Sequence, residues 1–186
     1  EALRELRPGI IRFGGSTTEK FDWRNLVGDP DRRVPWVNEP WGGMHPTGAG
    51  LEEFVQLCRA VEAEPLICVR VTGAEPAEGA AQVQYFNGGP DTPMGRLRAQ
   101  NGHPEPYAVR YWQVGNELGG DEYARRLAAF CAAMKEADPT IKLLSAYPSA
   151  AVLQQAGKYL DYVSPHHYQA AKKVTQDEFS LALVVF

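Results

Sequence analysis

The sequence predicts an α/β fold built on a parallel sheet, curved as a (β/α)8 barrel, and three observations carry that reading. Apolar runs of strand length alternate with stretches of helical periodicity along the chain. Turn residues, aromatics and charged groups cluster just past the C-terminal ends of the strand-like runs, where open α/β sheets and barrels place their sites. No GxGxxG or GxxxxGK[ST] string follows any of those runs, which disfavours a nucleotide-binding doubly wound sheet.

The elements follow in order. Glu1 to Leu6 reads as the tail of an amphipathic helix. Ile10-Ile11-Arg12-Phe13 is a short apolar run stopped by Gly14-Gly15, hence a buried strand. A long stretch with Trp23, Trp36, Trp41 and several Pro and Gly residues reads as a structured loop region. From Leu51 to Glu62 the apolar positions Leu51, Phe54, Val55, Leu57, Cys58 and Val61 recur at helical spacing. Pro65 to Val71 is the second strand, Glu78 to Phe86 a helix, and the residues from Asn87 to Pro106 a loop. Val109 to Val114 is the third strand and Asp121 to Glu136 a long helix, with Tyr123, Leu127, Phe130 and Met134 on one face. Ile141 to Ala146, a short helix from Ala150 to Gly157, a strand ending at Tyr168 and a last strand from Leu181 to Phe186 complete the pattern. Strands separated by helices in this way form parallel βαβ units.

The 186 residues suffice for one domain, read as spanning 1–186, but fall short of the roughly 250 of a complete barrel. A partial barrel is therefore expected, and its unpaired strand edges favour association with another chain. The net charge of −4 gives no electrostatic reason to bind nucleic acid or an anionic membrane. No apolar run approaches the roughly 20 residues that span a bilayer. The N-terminus lacks the order of a signal peptide and does not start with methionine, as expected of a processed product or of a piece of a longer protein. Cys58, Cys68 and Cys131 share no metal-ligand spacing; they read as buried free thiols, which fits a reducing compartment.

Three strand ends carry chemistry. Gly115-Asn116-Glu117 places a carboxyl group at the mouth of a barrel; partial burial raises a carboxyl pKa, which suits a group that must donate a proton near neutral pH. Asn116 beside it is suited to hydrogen-bond a substrate hydroxyl. The competing reading is that Asn-Glu caps the following helix. Ser164-Pro165-His166-His167-Tyr168 offers groups that bind a sugar, tune a carboxylate or ligate a metal, although no HExxH spacing supports the metal. Arg12-Phe13-Gly14-Gly15-Ser16 puts a cation in an apolar strand, where it needs a partner; Glu117 is a candidate. Trp23, Trp36, Trp41 and Tyr107 suit stacking on sugar faces or plugging a loop-rich surface. Asp22, Glu39, Glu64, Glu75 and Asp91 read as solvated or capping acids.

These strings resemble the α-L-arabinofuranosidases of glycoside hydrolase family 51, retaining enzymes of a clan built on (β/α)8 barrels. Tyr111 to Glu117 is similar to the family's Trp-x-x-Gly-Asn-Glu on strand four. Gly50 to Val69, Asn87 to Pro106, Phe21-Asp22-Trp23 and Asp161 to Tyr168 are similar to neighbouring family strings. The resemblance implies barrel strands two to about seven, a carbohydrate substrate, no cofactor and no metal. It implies Glu117 as acid/base, with Arg12, Ser16, Asn116, His166, Tyr168 and Trp41 around the sugar. The family's Pro before Gly-Gly is missing, Ser16 or Thr17 stands where Asn would bind substrate, and Leu118-Gly119-Gly120 replaces a longer loop. The nucleophile of a retaining pair is expected just past Phe186; Glu178 precedes the strand and does not fit. A non-catalytic carbohydrate-binding protein on a degenerate barrel and a related β-xylosidase are the alternatives.

Overall fold

The computed structural model describes residues 1–166. His167, Tyr168, Glu178 and the expected strand from Leu181 to Phe186 lie outside the described residues. Helix α1 (Ala2–Leu6) leads into strand β1 (Ile10–Phe13). The long segment after β1 contains 3-10 turns at Ser16–Lys20, Trp23–Leu26 and Pro30–Arg32, then a hairpin of β2 (Trp36–Val37) and β3 (Met44–His45). Next come α2 (Leu51–Ala60), β4 (Glu64–Val69), α3 (Pro76–Asn87), α4 (Pro93–Gln100), β5 (Tyr111–Val114), α5 (Gly120–Ala137), β6 (Lys142–Ser145), α6 (Ala150–Ala156) and β7 (Tyr162–Val163).

The five long-range strands pair in the order β1-β4-β5-β6-β7, every pair parallel. Sequential neighbours without a reversal of order are the arrangement of a barrel wall; a doubly wound sheet reverses its order at a switch point. The described residues thus form part of a (β/α)8 barrel. Among them β1 and β7 are the sheet's edges. On the outside α3 packs against α5 and α5 against α6. Beneath them Val83, Phe86, Trp112, Val114, Leu127, Phe130, Met134 and Leu143 form a fully buried core. None of the described helices is long and apolar enough to cross a membrane.

Local signals set the boundaries. The Glu53 carboxylate accepts the Gly50 N–H at 2.7 Å and so caps α2, while Ser149 Oγ accepts the Val152 N–H at 3.1 Å and caps α6. Helix α4 was not expected; the stretch reads as a loop because its residues lack an apolar period. Its start is nevertheless marked: Thr92 Oγ1 accepts the Gly95 N–H at 3.1 Å, and Pro93 occupies the first turn, where a missing N–H costs nothing. The helix is held by the fully buried Arg98, with Met94 and Leu97 only partly buried against the core.

The segment between β1 and α2 is pinned by a second buried polar cluster. Glu52 Oε1 accepts the phenol hydroxyls of Tyr85 (2.8 Å) and Tyr107 (3.1 Å), and its Oε2 accepts the Gly28 N–H at 2.6 Å. Arg33 forms a two-pronged contact with Glu53, 2.9 Å on each arm.

Carboxylates at the sheet's lower end make stability acid-sensitive. Burial alone pushes Asp161 up, but the Lys142 ammonium at 2.6 Å, the Leu143 N–H and Lys135 outweigh it and hold the carboxyl below its ordinary 3.8. Asp138 is lowered in the same way: bonds from Thr140 and Asn87 overcome its burial. Both folded pKa values lie below the unfolded ones. Their contributions are therefore complete above the unfolded value and disappear as pH falls through the folded one. Urea midpoints measured against pH are expected to drop below about pH 4. The difference between wild type and Asp161→Asn should shrink over the same interval.

Candidate active site

The site is built at the C-terminal rim of the sheet, and each of the five strands sends a residue into it. On β1, Arg12 extends its guanidinium under the rim. Its Nε donates to Gln113 Oε1 at 2.9 Å, and its Nη2 donates to Asn116 Oδ1 at 2.6 Å and to Cys68 Sγ at 3.0 Å. The expected Arg12–Glu117 pair is therefore not what is found. Arg12 is only half-buried and spreads its charge over neutral acceptors, so it does not need a carboxylate. Gln113, fully buried on β5, is itself fixed by its Nε2 donating to the Gly115 carbonyl at 3.0 Å. Burial pushes the Cys68 thiol up to about 11 despite the nearby Arg12, so at neutral pH it meets the guanidinium as a thiol.

The turn after β1 explains Gly14-Gly15. A Cβ on Gly14 would lie 2.6 Å from both Cβ and Sγ of Cys68, and Gly15 sits at φ +132°. Glycine is required at one position for close approach and at the other for backbone conformation. The turn feeds the 3-10 segment that begins at half-buried Ser16 and carries the buried Glu19. Glu19 Oε2 accepts the N–H groups of Val71 (3.0 Å) and Thr72 (2.8 Å), and Oε1 accepts that of Asn116 (2.8 Å). The last β4–β5 ladder bond is Gly115 N–H to Val69 O at 2.8 Å; beyond it the strands part and the Glu19 carboxylate fills the gap. Tyr123 of α5 does the same one strand over. Its hydroxyl donates to Val114 O at 2.7 Å and accepts the Ala146 N–H at 2.8 Å.

Glu117 stands at the end of β5, its side chain 29% exposed, with Oε1 2.8 Å from His166 Nδ1. His166 lies just past β7, and Tyr147, just past β6, meets the imidazole edge-on at 5.5 Å. The backbone at Glu117 is left-handed, φ 53°, a conformation that costs a non-glycine residue on the order of 1–3 kcal/mol and concentrates at functional sites. The helix-cap reading fails: α5 starts at Gly120 with Gly119 as its cap and no side-chain cap bond.

Residues 2–182 match the family described as "Alpha-L-arabinofuranosidase 1 domain". The chain belongs to this family. It is 36% identical over 154 residues to alpha-L-arabinofuranosidase C of Emericella nidulans, an alignment covering 77% of this chain and 31% of that protein. It is 28% identical over 200 residues to the intracellular exo-alpha-(1->5)-L-arabinofuranosidase of Acetivibrio thermocellus, covering 96% and 40%. The alpha-L-arabinofuranosidase of Thermotoga maritima, solved as an arabinose complex, matches with a TM-score of 0.82 and 31% identity over 88% of this chain and 37% of that one. The chain thus spans between 31% and 40% of the length of these relatives.

Of the residues singled out in the sequence of this arabinofuranosidase-family chain, Arg12, Asn116, Glu117 and His166 come together at the rim. Ser16 begins the segment that carries Glu19. Trp41 stands apart at the hairpin turn, 77% exposed, its main-chain N–H donating to Asn38 Oδ1 at 3.3 Å. Tyr168 lies outside the described residues. Trp23 is buried against Tyr85, Tyr107 packs on Phe86, and Trp36 is half-buried and stacks on His45 at 4.4 Å, so these three plug the loop region. All three cysteines are buried and free. The sequence reading missed Glu19, Gln113 and Tyr147. The one available signal for Glu19 was an acid in Ser16-Thr17-Thr18-Glu19, directly after a glycine turn at a strand end.

Proposed function

We propose that these residues belong to a retaining glycosidase that cleaves terminal L-arabinofuranosyl units, with Glu117 as its acid/base. The observation that carries this reading is the Glu117–His166 contact of 2.8 Å at the C-terminal rim of the barrel wall. The imidazole meets Oε1 and so fixes the carboxyl group that transfers the proton. In the first step Glu117 gives its proton to the departing glycosidic oxygen while a second carboxylate, about 5–5.5 Å away in retaining enzymes, forms the bond to the anomeric carbon. The new Glu117 carboxylate is stabilised by His166 Nδ1–H. In the second step it takes a proton from the water that displaces the enzyme carboxylate, and the starting state returns.

Asn116 is oriented for the sugar. A guanidinium only donates, so the Asn116 atom facing Arg12 is the carbonyl oxygen, and the amide NH2 remains as a donor to the hydroxyl next to the reacting carbon. Ser16 and Tyr168 complete the expected sugar contacts, whereas Trp41 stands apart from the rim; no cofactor or metal takes part in the proposed steps.

The test is hydrolysis of 4-nitrophenyl α-L-arabinofuranoside by the full-length gene product, with the anomeric configuration of the first-formed sugar read by proton NMR. Release of arabinose with retention supports the proposal. Sugar binding by calorimetry without turnover would favour a non-catalytic carbohydrate-binding protein, and turnover confined to β-xylosides would move the activity elsewhere in the clan.

A further inference from the structure

We propose that Glu19 is a positioning residue for the acid/base: by joining the ends of β4 and β5 it sets the peptide plane from which Asn116 and Glu117 project. This inference rests on the reading of Glu117 given above. Three facts carry it. Glu19 is buried, and its two oxygens together accept three backbone N–H groups, two from the β4 end and one from the β5 end. The bond to the Asn116 N–H falls between two unusual backbone positions, Gly115 at φ 83° and Glu117 at φ 53°. A left-handed glutamate persists only where its surroundings over-determine it. The second hold on Asn116, from Arg12 to its side chain, arises seven residues upstream of Glu19. One segment therefore grips Asn116 by backbone and by side chain.

A carboxylate is the fitting group here. It accepts at both oxygens, and charge-assisted bonds to N–H groups are the stronger kind. Glutamine keeps the shape but turns one terminus into a donor facing a donor. In Glu19→Gln either the β4 pair or the Asn116 N–H loses its acceptor, and the 115–117 turn is free to shift. A displacement of about 1 Å at a reacting group costs on the order of 10²-fold in rate.

The experiment is made on the full-length enzyme with a series of aryl α-L-arabinofuranosides of graded leaving-group acidity. Poor leaving groups need the proton from Glu117, whereas dinitrophenolate does not. Glu19→Gln is expected to lose about 10²-fold in kcat/KM on the poorest leaving group and less than about threefold in glycosylation of the best. The steepened dependence on leaving-group acidity reports acid catalysis, and a purely structural loss lowers all substrates alike. Glu19→Asp, which keeps the charge with a shorter reach, is the second variant and should show the same trend. Glu117→Gln is the control. If it shows no steepening, the reading of Glu117 fails; if it does while both Glu19 variants scale all substrates equally, or neither Glu19 variant folds, the positioning role is overturned.

Discussion

Glu117→Ala in the full-length protein is expected to lower kcat on an unactivated arabinofuranoside by about 10²–10⁴-fold, the usual contribution of a positioned proton donor. With a dinitrophenyl leaving group the first step should survive and the second become limiting, because water then lacks its base. Added azide needs no base. It is expected to restore turnover and to give the arabinosyl azide in the anomeric configuration of the substrate. Stability offers an independent check. Glu117 holds φ 53°, where a glycine pays no steric cost, so Glu117→Gly is expected to unfold at the same or a higher denaturant concentration than wild type while losing activity. An inactive variant that is also strongly destabilised would assign the residue a packing role instead.

Arg98→Met is expected to produce the largest loss of stability. The side chain is fully buried and donates to four main-chain carbonyls: Tyr85 at 2.6 Å, Gly88 at 2.8 Å, and His103 and Pro104 at 3.0 Å each. Burial lowers the Arg98 pKa, yet a guanidinium stays protonated in a protein, so its donors remain. Methionine fills much of the volume but takes the donor from four main-chain carbonyls, that of Tyr85 buried and the other three partly buried. The expected cost is about 3–5 kcal/mol, read as a shift of the denaturation midpoint. Lysine at the same position is expected to recover only part of this, since one ammonium cannot span carbonyls that a planar fork reaches on three sides. Because the four carbonyls belong to the end of α3 and to the stretch after α4 that leads towards β5, limited proteolysis near residues 88–105 should accelerate in parallel.

The barrel wall was legible because burial writes itself into composition. Ile67, Val69, Trp112, Val114 and Leu143 are apolar for the same reason that they are inside, and their runs predict strands at the correct places. Helix α4 was not legible. Its anchor is a charged residue satisfied by main-chain carbonyls, and such a residue looks like surface in any pattern based on polarity. The site divides along the same line. Glu117 and His166 follow strand-like runs and can be found from that position alone. Glu19 acts on backbone N–H groups far away in sequence, which leave no trace in residue identity. The supposed ion pair of Arg12 failed for a related reason: the chain supplied amide oxygens, and whether an amide lies within reach is decided by register, not by charge pattern.

The double hold on Asn116 has a consequence for engineering and for inheritance. Arg12 and Glu19 lie on one stretch of eight residues, joined by a glycine turn that tolerates no side chain against Cys68. A graft that moved only the Arg-bearing strand, or only the loop after it, would bring one hand and leave the other behind. Segment 12–19 is thus a single cassette, and recombination between related barrels should keep its parental boundaries outside that stretch wherever the resulting enzymes remain active.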